Sequence, residues 1–212
     1  MTKKVIAINA GSLKKGMDKL KEAMQEDNDE KLYIITSASL KDSFCNYSYE
    51  IASGVTKGDE CNRKGSLLVH DDLRNAFKKL HAHLAAICEE IDHNKINDIE
   101  QIVDYDEDEH KVTSLEYKVS RFYVDSFSIS GNGDKEGVSL SGSKMLSTDE
   151  LVKLTSPKKT WDCDYPFIME LRAVIDDLIT EVEYYMNGKS QPKMVQAELP
   201  LAEGTDETNT TE

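Results

Sequence analysis

Asp71-Asp72-Leu73-Arg74-Asn75-Ala76-Phe77-Lys78-Lys79-Leu80-His81-Ala82-His83-Leu84-Ala85-Ala86-Ile87 is the stretch on which the reading of the fold turns. Leu73, Phe77, Leu80, Leu84, Ile87 and, just beyond, Ile91 recur at alternating steps of four and three, which places them on one side of an α-helix. Asp71 and Asp72 open the segment, where carboxylates complement unpaired N–H groups and the helix dipole. The pattern predicts a core helix over 71–91. His81 and His83 stand two residues apart and therefore point to different sides of it, so they cannot share a metal as an i,i+4 pair does. Both read as structural histidines.

Strand patterns lie on either side of this helix. Upstream, Leu32-Tyr33-Ile34-Ile35-Thr36 is rich in β-branched and aromatic residues, and 44–51 alternates in part, with Tyr47, Tyr49 and Ile51 on one side. The glycine-bearing stretch 54–65 reads as a loop. Downstream, 117–129 alternates, Gly131-Asn132-Gly133-Asp134 supplies turn chemistry and 137–146 alternates again, which predicts a long hairpin. A polar loop carrying Trp161 follows. A second helix then has Pro166 in its first turn, Asp162 or Asp164 as its cap, and Phe167, Ile168, Leu171, Ile175, Leu178, Val182 and Tyr185 on its buried side, with Gly188 as its stop.

Both halves thus read strand, strand, helix. The expected fold is α+β: a mostly antiparallel sheet with two amphipathic helices on one face. Residues 1–30 form an N-terminal strand and helix arm, the helix marked by Leu13, Met17, Leu20 and Met24; residues 31–188 form the globular domain. In 189–212 Pro, Gln, Ser, Glu and Thr dominate, which predicts a disordered acidic tail.

The 212 residues carry a formal net charge of −14, which repels phosphate and anionic lipid, so direct nucleic-acid binding is disfavoured. Cys45, Cys61, Cys88 and Cys163 are scattered without a CxxC pair and predict neither a zinc site nor a disulfide framework. The acidic run from Asp104 to His110 resembles a calcium loop only superficially: the sixth position is Glu109 where the turn needs glycine, and the twelfth is Leu115 where a glutamate is needed. The tip Gly131–Gly137 joins two strands, whereas a phosphate cradle needs a strand-to-helix step. Nucleophile-elbow, Walker and His-Glu-x-x-His patterns are lacking, so the expectation is a non-enzyme with no cofactor, no metal and no catalytic residues. The apolar run at the start is too short for a signal peptide and no segment reaches membrane-span length, so the expected location is the cytoplasm.

One apolar island interrupts the tail: Gln196-Ala197-Glu198-Leu199-Pro200-Leu201. An isolated apolar patch in a polar tail suits a linear motif that orders on a partner's groove. Gln196, Leu199, Pro200 and Leu201 resemble the glutamine-x-x-leucine-proline-leucine peptides by which bacterial replication and repair proteins dock on the sliding clamp. The resemblance implies that Gln196 bonds at the groove rim, that Leu199 and Leu201 fill its pockets, and that Pro200 pre-sets an extended backbone. Ala197 departs from the pattern, standing where leucine is frequent.

In outline, the central amphipathic helix, the Tyr-rich strand, the Gly-Asn-Gly-Asp turn before Glu136-Gly137-Val138 and the closing helix are similar to small uncharacterised proteins of phages and other mobile elements. That resemblance implies a setting in phage or mobile-element DNA metabolism and brings no activity with it. The expected function is a non-enzymatic accessory factor of DNA replication or recombination that binds proteins and docks on the host clamp. The alternative is an acidic inhibitor whose carboxylates imitate DNA toward a nuclease or defence protein.

Overall fold

The computed structural model describes residues 32–103 and 111–191. The N-terminal arm 1–30 and the acidic run Asp104–His110 lie outside them. The architecture is α+β. The strands β1 (Tyr33–Lys41), β2 (Phe44–Ile51), β3 (Glu60–Lys64), β4 (Phe122–Ser130), β5 (Gly137–Met145), β6 (Leu151–Thr155) and β7 (Lys159–Thr160) form one antiparallel sheet. Its order is β3-β2-β1-β4-β5-β6, with β7 pairing the first residues of β5. The two hairpins β1-β2 and β4-β5 are joined side by side where Ser37, Ala38 and Ser39 face Ser128, Phe127 and Ser126.

Period-two alternation puts the apolar residues of each strand on one face, and there the helices pack. These are α1 (Asp71–Lys78), α2 (His81–Ile87), α3 (Ile99–Val103), α4 (Ser114–Val119) and the long closing α5 (Ile168–Met186). Phe77 of α1 meets Phe127 of β4 with ring centroids 6.3 Å apart, and Leu73, Leu84, Phe122, Leu140, Leu171, Ile175 and Leu178 are all sealed from solvent. Each such side chain stabilises the fold by about 1.5–3 kcal/mol relative to exposure. Both central strands carry a register shift, between Ile35 and Ser37 in β1 and between Val124 and Ser126 in β4. An extra residue at each place restores alternation, so Ile35 and Ala38, like Val124 and Phe127, all reach the core.

The predicted helix over 71–91 is two helices. Leu80 bonds back to the carbonyl of Phe77, three residues earlier, and this tightened turn separates α1 from α2. The chain leaves helical geometry after Cys88, where Glu89 takes a φ of 58°, and Ile91 is buried from the turn that follows. His70, rather than a carboxylate, caps α1: its Nδ1 accepts from the amide of Asp72 at 3.2 Å.

The expected loop 54–65 contains β3, whose five residues pair with β2 despite their polarity because an edge strand has no buried face to fill. The first residues of the stretch 117–129, read as strand, belong to α4; Thr113 and Glu116 form a capping box that starts a helix there. The polar loop before Trp161 holds β6 and β7. Neither Asp162 nor Asp164 caps α5, whose N-cap is Phe167 without a side-chain bond. Gly188 ends that helix with a φ of 99°, as its position implies.

Candidate functional site

Gln196, Leu199, Pro200 and Leu201 lie outside the described residues. The structure does fix the point from which that segment departs. After α5, Lys189 Nζ reaches Asp72 Oδ2 at 2.6 Å and Glu181 Oε2 at 2.8 Å, tying the start of α1 to the end of α5. Its hydrogen bond holds the Asp72 carboxyl below the ordinary carboxylate range, and the two carboxylates push the ammonium up. Gln191 then donates its amide to the Leu68 carbonyl at 3.1 Å and its Nε2 to Asp71 Oδ1 at 2.6 Å. The chain is thus bound to the helical layer as far as Gln191.

On the same layer, the turn between α1 and α2, with α2, α3 and α5, lines a cleft of about 230 Å³. Ile99, Val174 and His83 form its buried floor; Lys79, Glu100 and Asp177 stand around it. The 3.6-residue period that buries Leu80, Leu84 and Ile87 also turns His83 inward, and its ring is 1% exposed. Nδ1 of His83 shares a hydrogen bond of 3.1 Å with the hydroxyl of Tyr165, itself buried. Burial pushes the imidazole down to about 3 and the phenol up, so both stay neutral at physiological pH. His81 does not converge with it. Its ring packs edge-on against Tyr123, and burial, with Lys78 nearby, pulls it down to about 4.

The sheet face turned away from the helices has a different chemistry. Cross-strand register lines up Asn62, Ser48, Ser37, Ser128 and Ser139 in one row, and Lys64, Asn46, Ser39, Ser126, Ser141 and Thr155 in the next. A shallow groove of about 460 Å³ runs over these rows where they cross β3, β2, β1 and β4. Carboxylates concentrate instead on the helices: α5 alone carries Glu170, Asp176, Asp177, Glu181 and Glu183 against a single Arg172, whose guanidinium lies over the Trp161 ring at 5.6 Å.

The four cysteines are unpaired, and burial drives the Cys45 thiol up to about 12, which makes it a core residue instead of a nucleophile. Among the described residues no His, Cys, Asp and Glu side chains group as a metal site, and no helix is long and apolar enough to cross a membrane.

The sequence reading took His83 as a structural histidine and missed that it floors a cleft. The signal was faint: Lys79 and His83 stand four apart in the sequence, but Glu100 and Asp177 come from elements far along the chain. The serines of β4 and β5 alternate visibly in the sequence, and only the strand order shows that β1 and β2 continue them. No family model, no curated protein and no solved structure matches the chain.

Proposed function

We propose that the chain is a non-enzymatic, protein-binding accessory factor of phage or mobile-element DNA replication or recombination, whose tail peptide Gln196–Leu201 docks on a bacterial sliding clamp. One observation carries the reading furthest. The chain is bonded to the domain up to Gln191, and Gln196 follows five residues later. A fully extended linker of that length reaches about 17 Å, so a clamp holding the peptide would sit close to the α1–α5 surface. The folded domain would then travel with the clamp as a rigid companion, its hydroxyl-lined sheet face open to a second partner.

The test is a titration of labelled peptide Lys193–Glu203 and of the full chain against purified clamp. Wild-type binding in the micromolar range is expected, with a loss of at least roughly tenfold on combining Gln196→Ala and Leu199→Ala, since the rim hydrogen bond and one pocket anchor go together. Failure of both peptide and full chain to bind at high micromolar concentration overturns the reading.

A second reading, the acidic inhibitor of a DNA-binding protein, is favoured by the carboxylates along α5. It predicts inhibition that survives deletion of the tail and weakens steeply with salt, as competition with phosphate does.

A further inference from the structure

We infer that the His83 cleft is a binding site for a small zwitterionic amine, of the class of a free α-amino acid. The first observation is a count of hydrogen bonds on one ring. Nδ1 of His83 is engaged by Tyr165, and Nε2 has no partner among the described residues. Yet no fully enclosed side-chain nitrogen or oxygen in the described residues lacks a partner. Nε2 is therefore the atom through which this buried ring stays open, and the space it opens to is the cleft that the ring lines. Most buried side-chain nitrogens are hydrogen-bonded, so an open valence beside a cavity is an exception that points to a guest.

The second observation is the charge around the opening. Lys79, Glu100 and Asp177 make no side-chain hydrogen bond or ion pair with one another or with any other described residue. Charges of both signs around one cleft, none of them neutralised by another, suit a guest that itself carries both signs. An ammonium group has two carboxylates to choose between and a carboxylate has Lys79, while a small side chain rests on Ile99 and Val174. Nε2 of the neutral imidazole then completes a hydrogen bond to either polar group of the guest.

Size points the same way. A cavity of about 150 Å³ holds benzene, so 230 Å³ takes a guest of a few more heavy atoms and not a nucleotide. The two carboxylates discriminate against a simple anion and Lys79 against a simple cation, so each single-charged analogue satisfies only half of the site.

The experiment uses the full chain labelled with ¹⁵N at histidine and follows the His83 ring nitrogens by NMR while glycine, alanine and valine are added, with propylamine and propionate as half-site probes. The amino acids are expected to move Nε2 well beyond any change at Nδ1, and the half-site probes to do so only at much higher concentration. Lys79→Met and Asp177→Asn alter side chains at the rim and leave the core intact. Each is expected to weaken amino-acid binding roughly tenfold, the scale of one lost charge-assisted contact, with an unchanged unfolding midpoint. No movement of Nε2 at millimolar amino acid overturns the assignment, as do equal responses to the half-site probes or undiminished binding by both variants.

Discussion

Tyr185 shows how a single atom ties three parts of the fold together. Its hydroxyl donates to the Leu67 carbonyl at 2.7 Å and receives the Cys45 amide at 3.5 Å, while its ring meets Tyr47 edge-on. Helix α5, strand β2 and the segment before α1 therefore share one phenol. Tyr185→Phe takes this partner from the buried Cys45 amide and from the part-buried Leu67 carbonyl, and is expected to cost about 1–3 kcal/mol in urea unfolding. Gly65 is glycine for a related reason: a Cβ there would overlap both that hydroxyl and the Cys45 carbonyl. Gly65→Ala should therefore destabilise more than Tyr185→Phe, and the two losses should not add, because removing the hydroxyl relieves part of the overlap. Additive losses would mean that the two positions are independent. Tyr185 was legible in the sequence as the last member of a buried stripe; its hydroxyl partners, more than a hundred residues away, were not.

At the level of elements, local signals were legible where they were short and self-contained, and misread where a strand pattern ran on into a helix. Thr113-Ser114-Leu115-Glu116 carries the capping-box signature, which the strand reading from Tyr117 onward left unused. Edge strands β3 and β6 bury little and so leave almost no periodic trace. The consequence of the β4 bulge is testable. Gly142 lies opposite Val124, beside the extra residue, and a Cβ there would overlap the Tyr123 carbonyl of the paired strand. Gly142→Ala has no side-chain rearrangement open to it and is expected to cost roughly 3 kcal/mol or more, or to prevent folding. Thr113→Ala, which removes only a cap from a short peripheral helix, should cost about 1 kcal/mol. Equal denaturation midpoints for these two variants would contradict the assigned geometry.

For the whole molecule, the α+β class followed from periodicity alone, because a stripe of period 3.6 and alternation of period two each need an apolar partner and one sheet face supplies it. What periodicity does not encode is which distant side chains meet, and so the cleft at His83 stayed hidden. The same buried ring governs how the molecule responds to acid. In the unfolded chain a histidine titrates near 6.5; in the fold His83 is pulled down to about 3 and His81 to about 4. A lowered folded value means that the unfolded state binds more protons, so the full stability is present above pH 6.5 and drains away as pH falls toward 3–4. Between pH 7 and pH 5 each ring withdraws up to about 2 kcal/mol, somewhat less for the half-buried His81, which water and the neighbouring Lys78 and Tyr123 partly accommodate. Opposing this, the net charge of −14 shrinks on acidification and self-repulsion eases, but exposed charges are screened within about 8–10 Å at ordinary salt. The buried rings should win: urea unfolding at fixed ionic strength should give a stability lower at pH 5 than at pH 7 by a few kcal/mol. His83→Gln, which keeps a hydrogen-bonding group for Tyr165 and cannot titrate, should start less stable at pH 7 but show about half the pH slope. A wild-type stability flat from pH 7 to pH 5, or an unchanged slope in the variant, would show that the ring is not held neutral in the core.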